Sequence, residues 1–210
     1  GASISRDIRK CILVRGCGDL ATAVMIRLHN AGYNVLGVDL EKPTQIRRNV
    51  SFAEAIYEGE MSVMGVKAKK ITNVEERFDL WKDSIIPILV DEKLEKLNEI
   101  KPAVIIDAII AKRNLGTKLD MAPLVIALGP GFEAGVDCHI VIETNRGHSL
   151  GQIIKKGRAQ DNTGIPGLIM GYGKERVLRS PWKGVFKGVK TFGDIVKKGD
   201  VIAYVDETTI

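Results

Sequence analysis

Cys11-Ile12-Leu13-Val14-Arg15-Gly16-Cys17-Gly18-Asp19-Leu20-Ala21 is the stretch whose reading decides the fold. Its opening apolar run is short and continuous, which suits a strand covered on both faces. Leu20, Val24 and Leu28 then recur at four-residue steps, the spacing of one helical face, so a helix is expected over 19–30 with Gly32 as its stop. Between strand and helix lies a G-x-G-x-x-A turn. Gly16 permits the tight turn, Gly18 lets a ligand approach the backbone with no Cβ in the way, and Ala21 allows close helix–strand packing. Asp39 ends the next apolar run (34–39), about twenty residues on, where a carboxylate can accept hydrogen bonds from a ribose diol. Strand, turn, helix and acid together point to a Rossmann-like nucleotide site. The alternative is a tight turn that binds nothing.

Two residues of the turn carry open readings. Asp19 either caps the helix or repels a phosphate, and the second reading favours a ligand other than an ordinary dinucleotide, or a bound cation. Cys17 is either a low-pKa thiol beside a helix N-terminus or a small side chain filling the turn.

Outward from this unit, strands and helices alternate. Helical segments are expected over 52–57, 74–81 and 92–100, and a β-hairpin over 61–71 turning at Met64-Gly65. Further strands are expected at 86–90, 103–107, 124–128 and 138–142. The alternation implies an α/β domain over 8–172, built on a mostly parallel, doubly wound sheet. Beyond it the chain shortens into alternating apolar pairs punctuated by Gly184, Gly188, Gly193 and Gly199, so 173–210 reads as a small separate β module.

In open α/β sheets ligands bind beyond the carboxyl ends of the strands, and four further segments fall there. Arg47 and Arg48 follow the second strand and form either a phosphate clamp or a solvated helix face. Asp107 precedes Lys112 and Arg113; it is a general base, a cation ligand or a buried carboxylate paired with Arg113. Gly129 and Gly131 bracket Pro130 in a loop that permits close backbone approach. The last segment, Glu143-Thr144-Asn145-Arg146-Gly147-His148, offers an acid, an anion clamp and an imidazole that serves as acid/base or merely as a capping residue.

Composition bounds the reading. Of 210 residues, 45% are hydrophobic and 27% charged, the balance of an ordinary globular protein. No apolar run is long enough for a membrane span and no signal-peptide core opens the chain, so a cytoplasmic protein without a membrane partner is expected. The net charge of +5 is spread along the chain and aromatics are only 5%, which argues against nucleic acid and suits an anionic small molecule. Three widely separated cysteines form no metal-ligand spacing and no disulfide framework.

Taken together, Gly16-x-Gly18-Asp19-Leu20-Ala21-Thr22, Glu41-Lys42-Pro43, Arg47-Arg48-x-Val50-Ser51-Phe52-Ala53-Glu54-Ala55, Ala111-Lys112-Arg113-Asn114-Leu115-Gly116-Thr117, Gly129-Pro130-Gly131-Phe132 and Glu143-Thr144-Asn145-Arg146-Gly147-His148 resemble the YqeB family. Its members are accessory proteins of the selenium-dependent molybdenum hydroxylase system. The resemblance runs from about Cys11 to Val205. It implies a role in maturing a molybdenum hydroxylase, handling its molybdopterin cofactor or its labile selenium, with the apoenzyme as partner. It transfers no catalytic residue. The tail, from Ser180-Pro181-Trp182 to Val201-Ile202-Ala203, resembles half of a biotinyl/lipoyl-type barrel-sandwich hybrid without the attachment lysine, so no lipoylation or biotinylation is expected. Its unpaired strand edges are either a hazard or a docking edge in a homo-oligomer. A different class of function uses the same turn: an NAD(P)-dependent oxidoreductase. A third is a non-catalytic scaffold whose tail docks a partner.

Overall fold

In the computed structural model, which describes residues 11–40, 51–144 and 152–159, strand β1 (Cys11–Arg15) is buried at every position, as its continuous apolar run predicts. Helix α1 (Asp19–Asn30) follows and ends at Ala31, with Gly32 at φ +95° beyond it. Strand β2 (Asn34–Asp39) returns parallel to β1, with Leu13 opposite Leu36 and Arg15 opposite Val38. The chain separates into two compact units, divided between Ala103 and Val104. The first is α/β and mostly parallel, and the described residues of the second form strands and a single 3-10 turn.

In the first unit the strand order is β1-β2-β5-β4-β3. Strand β5 (Ile86–Val90) lies parallel to β2, and β4 (Val66–Ile71) parallel to β5. Only the edge strand β3 (Glu60–Val63) is antiparallel, joined to β4 through Met64 and Gly65. Those two residues have φ +52° and +76°, the signature of a type I′ hairpin, at the place the alternation predicts. Helices α2 (Glu54–Glu58) and α3 (Glu76–Lys82) are short. Helix α3 is fastened to the sheet by Trp81, whose indole N–H donates to the Val35 carbonyl at 2.9 Å. Met25, Leu36, Phe52 and Ile88 fill the core.

The helix expected over 92–100 is reduced to α4 (Leu97–Ile100). Both carboxylate oxygens of Asp91 capture backbone amides, those of Glu95 and Lys96, at 2.8 Å each. Leu94 is buried at φ +55°. A side chain that ties the backbone into a turn outcompetes the helix the residue types favour.

The second unit is built on β6 (Val104–Asp107), β7 (Leu124–Leu128) and β9 (Ile140–Ile142), parallel to one another, with β10 (Ile153–Ile154) antiparallel on β9. A two-stranded sheet pairs β8 (Glu133–Ala134) with β11 (Gly157–Arg158). Here the doubly wound expectation needs correction. Between β6 and β7 the described chain makes only a 3-10 turn (Leu119–Met121), and between β7 and β9 only β8, with no α-helix in either crossover. Asn114 supplies the turn instead, its side-chain oxygen accepting from the Gly116 and Thr117 amides at 2.9 and 2.8 Å. The expected tail module, 173–210, lies outside the described residues.

His139 extends the β7/β9 ladder with its ring. Its amide donates to the Val125 carbonyl at 2.9 Å, and its Nδ1 accepts the Val125 N–H, also at 2.9 Å. Only a neutral imidazole accepts there, and burial lowers the pKa of the ring below its ordinary value. A group whose folded pKa is depressed binds its proton more readily when unfolded. Its contribution is therefore full above about pH 6.5 and is lost as the pH falls from there through the folded value. Urea midpoints measured from pH 8 to 5 should decline in the wild type and decline less in His139→Gln. Parallel curves would show that this bond has no part in the acid sensitivity.

Candidate functional site

The glycine turn is pinned from three directions within the first unit. Gly16, at φ +109°, donates its N–H to the Val38 carbonyl at 2.7 Å, locking the turn onto β2. The Cys17 N–H donates to Asp39 Oδ2 at 2.8 Å, while Asp39 Oδ1 accepts from the Leu40 N–H at the same distance. On the other side, the Cys17 carbonyl accepts from the Ala53 N–H at 3.0 Å and from the Thr22 hydroxyl at 3.2 Å. The same Thr22 oxygen accepts from the Phe52 N–H at 2.9 Å. Ser51, Phe52 and Ala53, which open the short helix α2, are thereby fastened against the turn.

Gly18 is the N-cap of α1. Its φ of −70° and ψ of −168° are open to most residues, and no side chain caps the helix. The backbone therefore requires glycine at Gly16 but not at Gly18. Asp19 occupies the first turn of the helix, where its charge favours the helix dipole.

Cys17 is wholly buried, and a Cβ placed on Gly37 would lie 3.2 Å from its sulfur. Burial and then the Asp39 charge push its thiol well above the usual range. The side chain fills the turn and is not poised as a nucleophile. Burial likewise pushes Cys11 and Cys138 up to about 12. A chromogenic disulfide reagent at pH 8 should find no fast thiol in the native protein and three after unfolding. One fast thiol assigned to Cys17 would contradict this packing.

Asp39 itself is raised from the ordinary carboxylate range by burial, against which its two amide donors and Arg15 act. Arg15 ends β1 with 5% of its surface exposed and donates to the Glu92 carbonyl at 2.8 Å. A buried cation at the carboxyl edge of the sheet was not among the residues singled out by motif. Its only sequence signal is a charge closing an apolar run. Thr22 stands in the motif only as the residue that ends it, and its bond to Phe52, thirty positions away, is not legible there.

The second unit gathers a different set. Asp107, 1% exposed, accepts from the Thr117 hydroxyl at 2.6 Å and from the Ile109 amide at 3.2 Å. Thr117 thus supplies the contact that the sequence reading offered to Arg113, whose side chain is exposed. Gly131, at φ +97°, sits so close that a Cβ would lie 2.9 Å from the Arg113 Cα. A Cβ on Gly129, at φ +89°, would lie 2.9 Å from Thr144 Oγ1 and 3.6 Å from Ile110 Cδ1. The loops after β6, β7 and β9 therefore meet beyond the carboxyl ends of parallel strands. Glu143 and Thr144 are buried there, 2% and 4% exposed, and Ile110 takes φ +56°. A β-branched side chain in the left-handed region costs about 1–3 kcal/mol, and such strain gathers at functional loops.

Gly16, Gly18, Asp19 and Asp39 thus belong to the first unit, and Asp107, Arg113, Gly129, Gly131 and Glu143 to the second. Arg47, Arg48, Asn145, Arg146 and His148 lie outside the described residues. Among the described residues no group of His, Cys, Asp or Glu is arranged to hold a metal ion, and no helix is long and apolar enough to cross a membrane.

Over 199 residues, 95% of its length, the chain is 52% identical to a protein of Escherichia coli (strain K12) described as "Uncharacterized protein YqeB". The chain is a homologue of YqeB. Membership of the YqeB family, to which the loops around Gly16, Arg113 and Gly129 point, is supported on this ground. The chain spans 37% of the length of that YqeB protein. No family model matches the chain, and no solved structure matches it significantly.

Proposed function

We propose that this YqeB homologue binds an anionic nucleotide-like ligand, a nucleotide or a molybdopterin-type dinucleotide, at a Rossmann-like turn formed by Gly16–Asp19. In this reading it serves as an accessory protein in maturing a selenium-dependent molybdenum hydroxylase. The observation that carries the binding half is Gly18. Its φ of −70° requires no glycine, and Ser, Asp or Asn at a helix start gains a few tenths of a kcal/mol over glycine by capping. An absent Cβ and an absent cap are both accounted for by a ligand that comes close to the backbone there. The order β1-β2-β5 also agrees with one mononucleotide-binding half of a dinucleotide fold.

The residues fit such a ligand's phosphate at the start of α1, where amides lack intrahelical partners, and its ribose at Asp39. Bound there, the ligand would bring its own redox or pterin chemistry; the chain's contribution is to hold and orient it. The maturation half rests on the family resemblance, with the molybdenum hydroxylase apoenzyme as partner. The tail, 173–210, read as half of a barrel-sandwich module, is the segment proposed to dock that partner or a second copy. Protein isolated gently from its native host should carry pterin or nucleotide, with molybdenum or selenium in step. Finding none of them would count against the maturation reading.

Asp39 favours a second reading, an NAD(P)-dependent oxidoreductase, since an acid at the end of β2 suits an unphosphorylated ribose. Tight NAD(H) binding with hydride transfer to a small substrate would establish it over the first.

A further inference from the structure

Thr22 is wholly buried and uses its hydroxyl in both directions, donating to the Cys17 carbonyl and accepting from the Phe52 amide. The Cys17 carbonyl also receives the Ala53 amide, so its direction is set by two donors on the same side. In a trans peptide the carbonyl and the next residue's N–H point opposite ways. Fixing the Cys17 carbonyl toward Thr22 and Ala53 therefore aims the Gly18 N–H away from them. That N–H makes no hydrogen bond among the described residues. The preceding peptide is set in the same manner from the other side, its N–H held by Asp39.

We propose that Thr22 is a positioning residue for the ligand: by holding the Cys17–Gly18 peptide it directs the Gly18 N–H at an anionic oxygen of the bound nucleotide. The inference rests on the nucleotide reading above and deepens it. Thr22 touches no ligand. It acts through one peptide plane, and its hydroxyl rather than its methyl is the working part. Serine preserves both hydrogen bonds; valine keeps the shape and loses both.

The test uses isotope-labelled full chain titrated with ADP, following amide resonances. In the wild type the Gly18 amide proton should move downfield to a saturating value as ADP binds. Thr22→Val should raise the ADP Kd about tenfold, the loss of about one hydrogen bond's worth of affinity, and reduce the saturating Gly18 shift. Thr22→Ser should recover both. Thr22→Ala, which adds no atom, repeats the comparison should valine not be accommodated. A residue important only for folding would lower the melting temperature and leave the saturating Gly18 shift unchanged. If ADP fails to bind the wild type, the nucleotide reading falls and this inference with it. If ADP binds but Gly18 does not respond, or Thr22→Val binds as wild type does, the inference alone is overturned.

Discussion

Gly131→Ala is expected to destabilise the second unit by about 3 kcal/mol, joining the cost of a left-handed backbone to that of a forced clash. At φ +97° any L side chain is strained, and the new Cβ would meet the Arg113 backbone at 2.9, 3.0 and 3.2 Å from its Cα, carbonyl carbon and nitrogen. Backbone atoms cannot rotate aside as a side-chain tip can. The loop after β7 or the loop after β6 must move. Gly135 provides the control: its φ is +90°, yet nothing lies within 4 Å of an added Cβ. Gly135→Ala should therefore cost only the conformational part, about 1–2 kcal/mol. Urea unfolding of the two variants measures the difference directly. Equal losses would mean that the two loops do not approach as described.

That contrast bears on what the sequence could show. The strands at 11–15, 34–39, 86–90, 104–107 and 124–128 were legible because a strand buried on both faces is apolar through its middle, polar residues falling only at its ends. The hairpin was legible because glycine at Gly65 relieves one of two positive φ angles. The two-residue strands β8, β10 and β11 are too short to show any period. The missing helix of the β6–β7 crossover was hidden for another reason: the Asn114 side chain replaces it with hydrogen bonds to the Thr117 backbone over a short span, which no hydrophobic spacing reports. At the site, the glycines and Asp39 could be found by motif, since their roles are local to a strand–turn–helix unit. Thr22 and Arg15 act on Phe52 and Glu92, distant in sequence, and only the fold brings those pairs together. Cys17 shows the limit of a motif: its place in the turn suggests reactivity, and its burial removes it.

Gly18→Val should weaken nucleotide binding at least a hundredfold, a loss of about 2.7 kcal/mol, while the protein still folds. The backbone at Gly18, φ −70° and ψ −168°, lies in the extended region that valine favours, so the substitution imposes no left-handed strain. Gly16 lacks that freedom. At φ +109°, Gly16→Val should disrupt the turn itself and lower stability along with binding. The pair separates two uses of glycine that the motif alone merges, one serving the chain's own path and one leaving room for something else. Thermal unfolding and an ADP titration on both variants are sufficient to distinguish them. Should Gly18→Val bind ADP as the wild type does, the missing Cβ at Gly18 would not be for a ligand, and the turn would be structural. Should it lose binding at unchanged melting temperature, the place vacated by the missing Cβ is where the nucleotide's phosphate lies.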